Sequence, residues 1–184
     1  MTYSLDLRIT GKHAAIIKKY SGDKTKAPSD EFKFVVKDTQ GKDKIITIFS
    51  TYFQCFEVSA MLGIVMGEKI EVADNSTDET GKIITATILS SMLNQKSSRQ
   101  NLERIYAHLI LDRNEGTIDS RIRNAFSFDS VDEKTQLNEI TSYSRAGLEF
   151  IDSLFKDCQS YEDVCNSLIA LADKINDLLT SKSD

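Results

Sequence analysis

A histidine near the start of the chain stands at a junction that suits chemistry on an anion. His13 follows Gly11 and Lys12 and precedes a stretch without Gly or Pro that runs to Tyr20. This pattern predicts a short helix that starts at or beside His13, so the imidazole would lie where unpaired backbone N–H groups point outward. Because that end of a helix carries partial positive charge, the junction predicts an anion site.

His13 also has a purely structural interpretation, as a surface histidine that caps the helix. The second histidine, His108, falls in a helical run of apolar residues and is predicted to flank a packed face. Cys55 stands near a predicted helix start, where a small residue can fill a packed cap. Cys158 and Cys165 lie on an apolar helical stripe and are predicted to be core. Because three scattered cysteines make neither a zinc site nor a disulfide framework, we expect no metal and no cofactor.

The strands and helices predicted around His13 indicate a sheet covered by helices. Residues 3–9 alternate apolar and polar side chains, as a half-buried strand does. The order of predicted elements, strand, helix, two strands, helix, strand, helix, describes an α+β fold with a four-stranded antiparallel sheet and three helices on one face. After the first helix, the elements are a hairpin over residues 32–49, a helix over 52–62 ended by Gly63, a strand over 68–73 and a helix opened by Ser76.

The second half of the chain differs in composition from the first. Residues 1–95 hold six of the eight glycines and balance 12 basic against 12 acidic residues, so the whole formal charge of −5 falls on residues 96–184. The second half has no proline, and its apolar residues recur at helical spacing. We therefore predict a first domain over 1–95 and an all-helical extension over 96–184.

Overall composition narrows the classes of partner. A pI near 5.2 argues against non-specific binding to nucleic acid. No run of the sequence reaches the roughly 18 apolar residues that a membrane helix needs, so we expect no membrane insertion. The few cysteines fit a reducing compartment, and we expect a cytoplasmic protein.

Three local patterns resemble the HPr family, the histidine phosphocarrier proteins of the bacterial sugar phosphotransferase system. His13 stands at the same junction of first strand and first helix as the family's phosphorylated histidine. The stretch from Cys55 to Gly63 has the length and the Leu-Gly ending of the family's second helix, with cysteine in place of its first serine. Residues 66–72 resemble the segment that enters the family's last strand. The resemblance covers residues 3–94.

The resemblance implies an HPr-like open-faced β-sandwich of order βαββαβα. In it, His13 would accept a phosphoryl group from Enzyme I and pass it to an enzyme II A-type acceptor or a regulatory protein. Lys12 and the backbone N–H groups of Ala14 and Ala15 would contact the phosphate. Ala15 stands where the family has an arginine, whose fork binds phosphoryl oxygens bidentately, so we expect reduced transfer efficiency. Cys55 occupies the family's regulatory serine position, and a thiol is no substrate for a serine kinase.

A second function stays open, that of a non-transferring HPr-like adaptor. Its helical extension would bind another protein or form a homodimer through residues 99–180. The extension also has a structural interpretation, packing against the first domain or as its own bundle. The missing arginine at Ala15 favours the adaptor, whereas the retained His13 favours the carrier.

Overall fold

The computed structural model describes residues 3–22, 30–112, 116–125 and 132–181. They form an α+β fold that is mostly helical, which confirms the predicted fold class at that level. The helices are α1 (Gly11–Tyr20), α2 (Tyr52–Met66), α3 (Ser90–Leu93), α4 (Lys96–Asp112), α5 (Ile118–Ala125), α6 (Glu133–Phe155) and α7 (Tyr161–Ser181); the strands are β1 (Leu7–Thr10), β2 (Val35–Lys37), β3 (Asp43–Ile45) and β4 (Thr85–Ile88).

The strands do not form the predicted four-stranded sheet. In the described ranges they make two separate antiparallel pairs, β1 with β4 and β2 with β3. The first pair sets Leu7 opposite Ile88, and the second sets Val35 opposite Ile45. The predicted hairpin is therefore present, but it does not join the strand that leads into His13. The four-stranded sandwich with three covering helices is corrected to two small sheets packed among helices.

The segment predicted as the last strand of the sandwich, residues 68–73, hydrogen-bonds to α6 instead. The Arg145 guanidinium donates to the carbonyl oxygens of Ile70 and Glu71 at 3.0 and 2.9 Å. The Ile70 N–H donates to the carbonyl oxygen of Ser142 at 2.9 Å. Since these backbone groups find partners on a helix, they are not available to a neighbouring strand.

A turn replaces the helix predicted to open at Ser76. The Asp78 carboxylate accepts the backbone N–H groups of Thr80 and Lys82 at 2.9 and 3.0 Å, and Gly81 takes φ +78°. An aspartate that bonds its own following backbone favours a turn over a helix. The chain then runs into β4.

Helix α2 starts as predicted but continues one turn further. Thr51 is its N-cap and accepts the Gln54 N–H at 3.1 Å, while the Gln54 side chain accepts the Ser50 N–H. The helix ends at Gly67, whose φ of +71° suits a glycine cap. Gly63, predicted to end the helix, lies inside it.

Gly63 has a packing role instead, at a close crossing of α2 and α6. A Cβ at Gly63 would collide with the carbonyl oxygen of Tyr143, and one at Gly147 would collide with that of Ser59. Between the two glycines, the Ser59 and Ser144 hydroxyls share a buried hydrogen bond of 2.7 Å. The two helix backbones therefore meet with almost no side-chain layer between them, and we call this contact the α2–α6 seam.

One apolar core extends through both halves of the chain. The ring of Tyr20 packs edge-on against Phe34 at 5.1 Å and lies 5.8 Å from Phe155 of α6, and all three are buried. The predicted boundary near residue 95 falls between α3 and α4. The helical half thus packs against the first half. This was one of the structural interpretations of the extension. Cys158 is half-buried, but Cys165 is exposed, which corrects its assignment to the core.

Candidate functional site

The junction before His13 depends on a backbone conformation that glycine supplies. Gly11 has φ +61°, and its N–H donates to the carbonyl oxygen of Ile84 at 2.8 Å. A Cβ at this position would meet Asp74, whose carbonyl oxygen accepts the Thr10 hydroxyl at 2.8 Å. Any side chain at position 11 would therefore both strain the backbone and push the Asp74 loop away from the start of α1.

The anion position at the start of α1 is filled by the chain itself. The Asp74 carboxylate accepts the Lys12 N–H at 2.5 Å and the Ser76 N–H at 3.1 Å. Hydrogen bonds, first from the Ser76 side chain and then from the Lys12 backbone, lower the pKa of Asp74 to about 2. The predicted attraction of this helix end for an anion is thus met by an internal carboxylate.

His13 is fully buried, and its ring contacts the helical half of the chain. Its Nε2 lies 3.1 Å from Glu149 Oε1 on α6. Since the carboxylate can only accept, Nε2 carries the hydrogen, and Nδ1 holds the lone pair of the neutral ring. Within the described residues, Nδ1 is buried and has no hydrogen-bond partner.

Glu149 also binds the neighbouring lysine, so that one carboxylate serves two side chains of α1. The Lys12 ammonium lies 2.6 Å from Glu149 Oε1. Burial lowers the pKa of His13, and the hydrogen bond with Glu149 opposes that effect in part. The pKa of Glu149 is lowered, first by the hydrogen bond from Lys12. The same bond raises the pKa of Lys12.

The two alanines predicted as phosphate donors have different surroundings. The Ala14 side chain is buried in the core, whereas Ala15 is half-buried. Ala15 lies in an open cleft between α1 and α6, which Lys12 and Glu149 also line. The predicted roles of their backbone N–H groups, and of Lys12, in holding a phosphate stay predictions.

Cys55 does not cap α2. It lies four residues after the Thr51 N-cap, with its side chain fully buried. Burial raises the pKa of its thiol to about 12. Because a thiolate is needed for redox or nucleophilic chemistry, this thiol is inert at neutral pH.

Sequence reasoning missed the two carboxylates that complete the His13 site. Asp74 and Glu149 stand 62 and 136 residues from their α1 partners. No local motif marks either one, because the loop and helix that bring them in are positioned by tertiary packing. Among the described residues, no group of three His, Cys, Asp or Glu side chains could hold a metal ion. None of the described helices combines the length and apolar character needed to cross a membrane.

Comparisons with protein-family models, with curated proteins and with solved structures find no match to this chain. The resemblance to the HPr family therefore depends only on the three local patterns, at His13, from Cys55 to Gly63 and over residues 66–72.

Proposed function

We propose that this protein is a non-transferring adaptor that works by binding protein rather than by carrying phosphate. The observation that supports this choice is the burial of His13. A phosphoryl acceptor must bring its unprotonated nitrogen to the phosphorus atom in line with the leaving oxygen. In His13 that nitrogen, Nδ1, is buried, and the ring is held by Glu149. The Asp74 carboxylate at the start of α1 would also repel a phosphate there.

The binding surface in this proposal is the outer face of α7. Buried Val164 and Leu171 face the core, while Leu168 and Ile169 are 42% and 60% exposed. The exposed apolar or small side chains recur at helical spacing and form what we call the α7 stripe: Tyr161, Cys165, Leu168, Ile169 and Ala172. An exposed apolar stripe along a helix of 21 residues is typical of a helix–helix interface.

A second copy of the chain fits this stripe. Leu168 and Ile169 lie at its middle, with the smaller Cys165 and Ala172 three residues to either side. An antiparallel pair of α7 helices centred there would set large side chains against each other across the twofold axis and small ones beside them. Such a surface is self-complementary, which is the requirement for an isologous dimer. The adaptor would then present two copies of its remaining surface to a target.

The oligomeric state tests the proposal. Light scattering after size exclusion, in reducing buffer at tens of micromolar chain, should give about twice the chain mass of 20.7 kDa. Ile169→Glu would bury a charge in the interface and should return the mass to that of one chain. Asn166→Glu adds the same charge to an exposed position off the stripe and should leave the dimer intact. A wild-type monomer, or equal masses for the two variants, would rule out this dimer.

The phosphocarrier hypothesis is tested separately. Wild-type protein and His13→Ala are incubated with phosphoenolpyruvate and Enzyme I, and acid-labile phosphate is measured. The adaptor proposal expects no label on either. Label on the wild type that is lost in His13→Ala would restore the carrier and show that α1 opens to expose the ring. More label on Ala15→Arg than on the wild type would further show that the missing guanidinium limits transfer.

A further inference from the structure

An apolar groove lies on the side of the molecule formed by α2, α4 and α7. Its volume is about 430 Å³, within the range of about 300–1,000 Å³ typical of small-molecule sites. Its floor and walls are aliphatic or thioether side chains from the three helices: Val58, Met61, Leu62, Val65, Ile105 and Ile175. Since several of these side chains are only half-buried, an apolar ligand would remove their surface from water.

The polar groups of the groove come mainly from one face of α4. Asn101, Arg104 and His108 recur at three- and four-residue spacing and line it together with Glu57 of α2. Glu57 is already satisfied, because the Asn101 side-chain amide donates to it at 2.7 Å. Arg104 and His108 are exposed, and within the part of the chain that the structure describes neither makes a hydrogen bond or an ion pair.

We propose that this groove binds an amphipathic monocarboxylate, with its aliphatic chain between α2, α4 and Ile175 and its carboxylate on Arg104 and His108. The geometry favours an anion over a cation, since the acidic side chain has its partner while the basic ones do not. A guanidinium fork binds a carboxylate through two parallel hydrogen bonds, which also fixes the orientation of the head group. The chain end would then lie on the apolar floor. This proposal does not depend on the dimer, because the head group is bound by Arg104 and His108 of α4; the groove residue from α7, Ile175, lies three residues after Ala172 of the α7 stripe.

Head-group preference is the first test. Calorimetric titration of the full-length protein with octanoate, octylamine and 1-octanol compares three head groups, each on an aliphatic chain of the same length. We expect octanoate to bind about tenfold or more tightly than octylamine, with octanol between them. Hexanoate should bind more weakly than octanoate by about fourfold for each methylene lost from the groove. Tighter binding of octylamine would make Glu57 the recognition group and overturn the proposal, as would equal binding of all three or no binding of any.

Variants locate the site. Arg104→Ala should weaken octanoate about tenfold and leave octanol unchanged, whereas Lys96→Ala, which removes an exposed cation from the same helix, should change neither. Val65→Trp should fill the groove and weaken both ligands, with circular dichroism to check that the helices are retained. If Arg104→Ala behaves like Lys96→Ala, or if octanoate binds Val65→Trp as it binds the wild type, the carboxylate is not held in this groove.

Discussion

At the scale of single residues, His13 and Lys12 contribute differently to folding stability, although both bind Glu149. The Lys12–Glu149 pair is about half-exposed, with side-chain exposures of 54% and 41%, and such pairs contribute little to stability because water and salt screen them. The His13 ring is buried, so its contact with Glu149 forms in surroundings of low dielectric. The imidazole is therefore the member of this cluster whose protonation changes the free energy of unfolding between about pH 7.5 and about pH 5.5.

The sign of that effect follows from the direction of the pKa shift. Burial holds the pKa of folded His13 below its ordinary value of 6.5. As the pH falls through 6.5, the unfolded chain takes up a proton that the folded chain resists, so the free energy of unfolding decreases. Urea unfolding at about pH 7.5 and about pH 5.5 should show this decrease in the wild type and a smaller one in His13→Gln.

His108→Gln is the matched control, because it removes the chain's other histidine from an exposed position. It should keep the wild-type dependence on pH. Equal slopes for the two variants would mean that His13 does not carry the acid sensitivity. The lowered pKa of Glu149 acts in the same direction, but only as the pH falls through 4.5 and below.

At the scale of elements, one short pattern occurs twice and explains an error of prediction. Residues 38–42 and 78–82 both read Asp-x-x-Gly-Lys, and both fold into the same turn, in which the aspartate carboxylate accepts the N–H groups two and four residues later. The first copy was predicted as a hairpin turn. The second was predicted as a helix start, because Ser76 to Glu79 also has capping-box spacing. Comparing the two copies would have resolved the ambiguity from sequence alone.

Other elements could not be derived from local patterns. Residues 68–73 alternate as a strand does, and nothing in them indicates that their hydrogen-bond partner is Arg145. Gly63 follows a helical stretch, as a C-terminal glycine does, yet it serves a crossing with α6. Whether Gly63 ends a helix or allows close packing of another helix depends on Tyr143, about 80 residues further along the chain. Local strand and helix signals therefore predicted β1, α1, α2 and the β2–β3 hairpin, but not how they assemble.

The α2–α6 seam gives a prediction for Gly147→Ala. Alanine has the higher helix propensity, so an unconstrained site would gain stability from this change. Here the added Cβ would collide with the Ser59 carbonyl oxygen, and we expect the free energy of unfolding to fall by about 1–3 kcal/mol. Urea unfolding would measure it, with Asn138→Ala on the exposed face of α6 as a control that should be neutral or stabilising. A stabilised Gly147→Ala would mean that the helices do not approach this closely.

At the scale of the whole molecule, the two predicted domains share their core. Tyr20 and Phe34 of the first half pack with Phe155, and the Tyr20 hydroxyl donates to Asp152 at 2.7 Å. The α2–α6 seam joins the same two halves at a second place. Glycine content, charge and hydrophobic periodicity all change near residue 95. That change does not mark a boundary between two separate hydrophobic cores.

We expect from this shared core that residues 1–95 alone do not fold. Removing residues 96–184 would expose the seam face of α2 and one side of the Tyr20 cluster, and a chain of that length cannot lose so much burial and stay folded. The full chain should unfold in one transition by circular dichroism and by tyrosine fluorescence, while the fragment should show no cooperative transition. A fragment with its own sharp transition would support an autonomous first domain over 1–95.

The α2–α6 seam also determines how movement passes through the molecule. Ordinary helix pairs slide by small amounts because side chains between them change rotamer, but here the backbone of each helix rests on that of the other. From this contact we expect a rotation or shift of one helix to carry the other with it. A displacement of α2 at the apolar groove would therefore reach Glu149, and with it the His13 ring, as a movement of a single stiff unit.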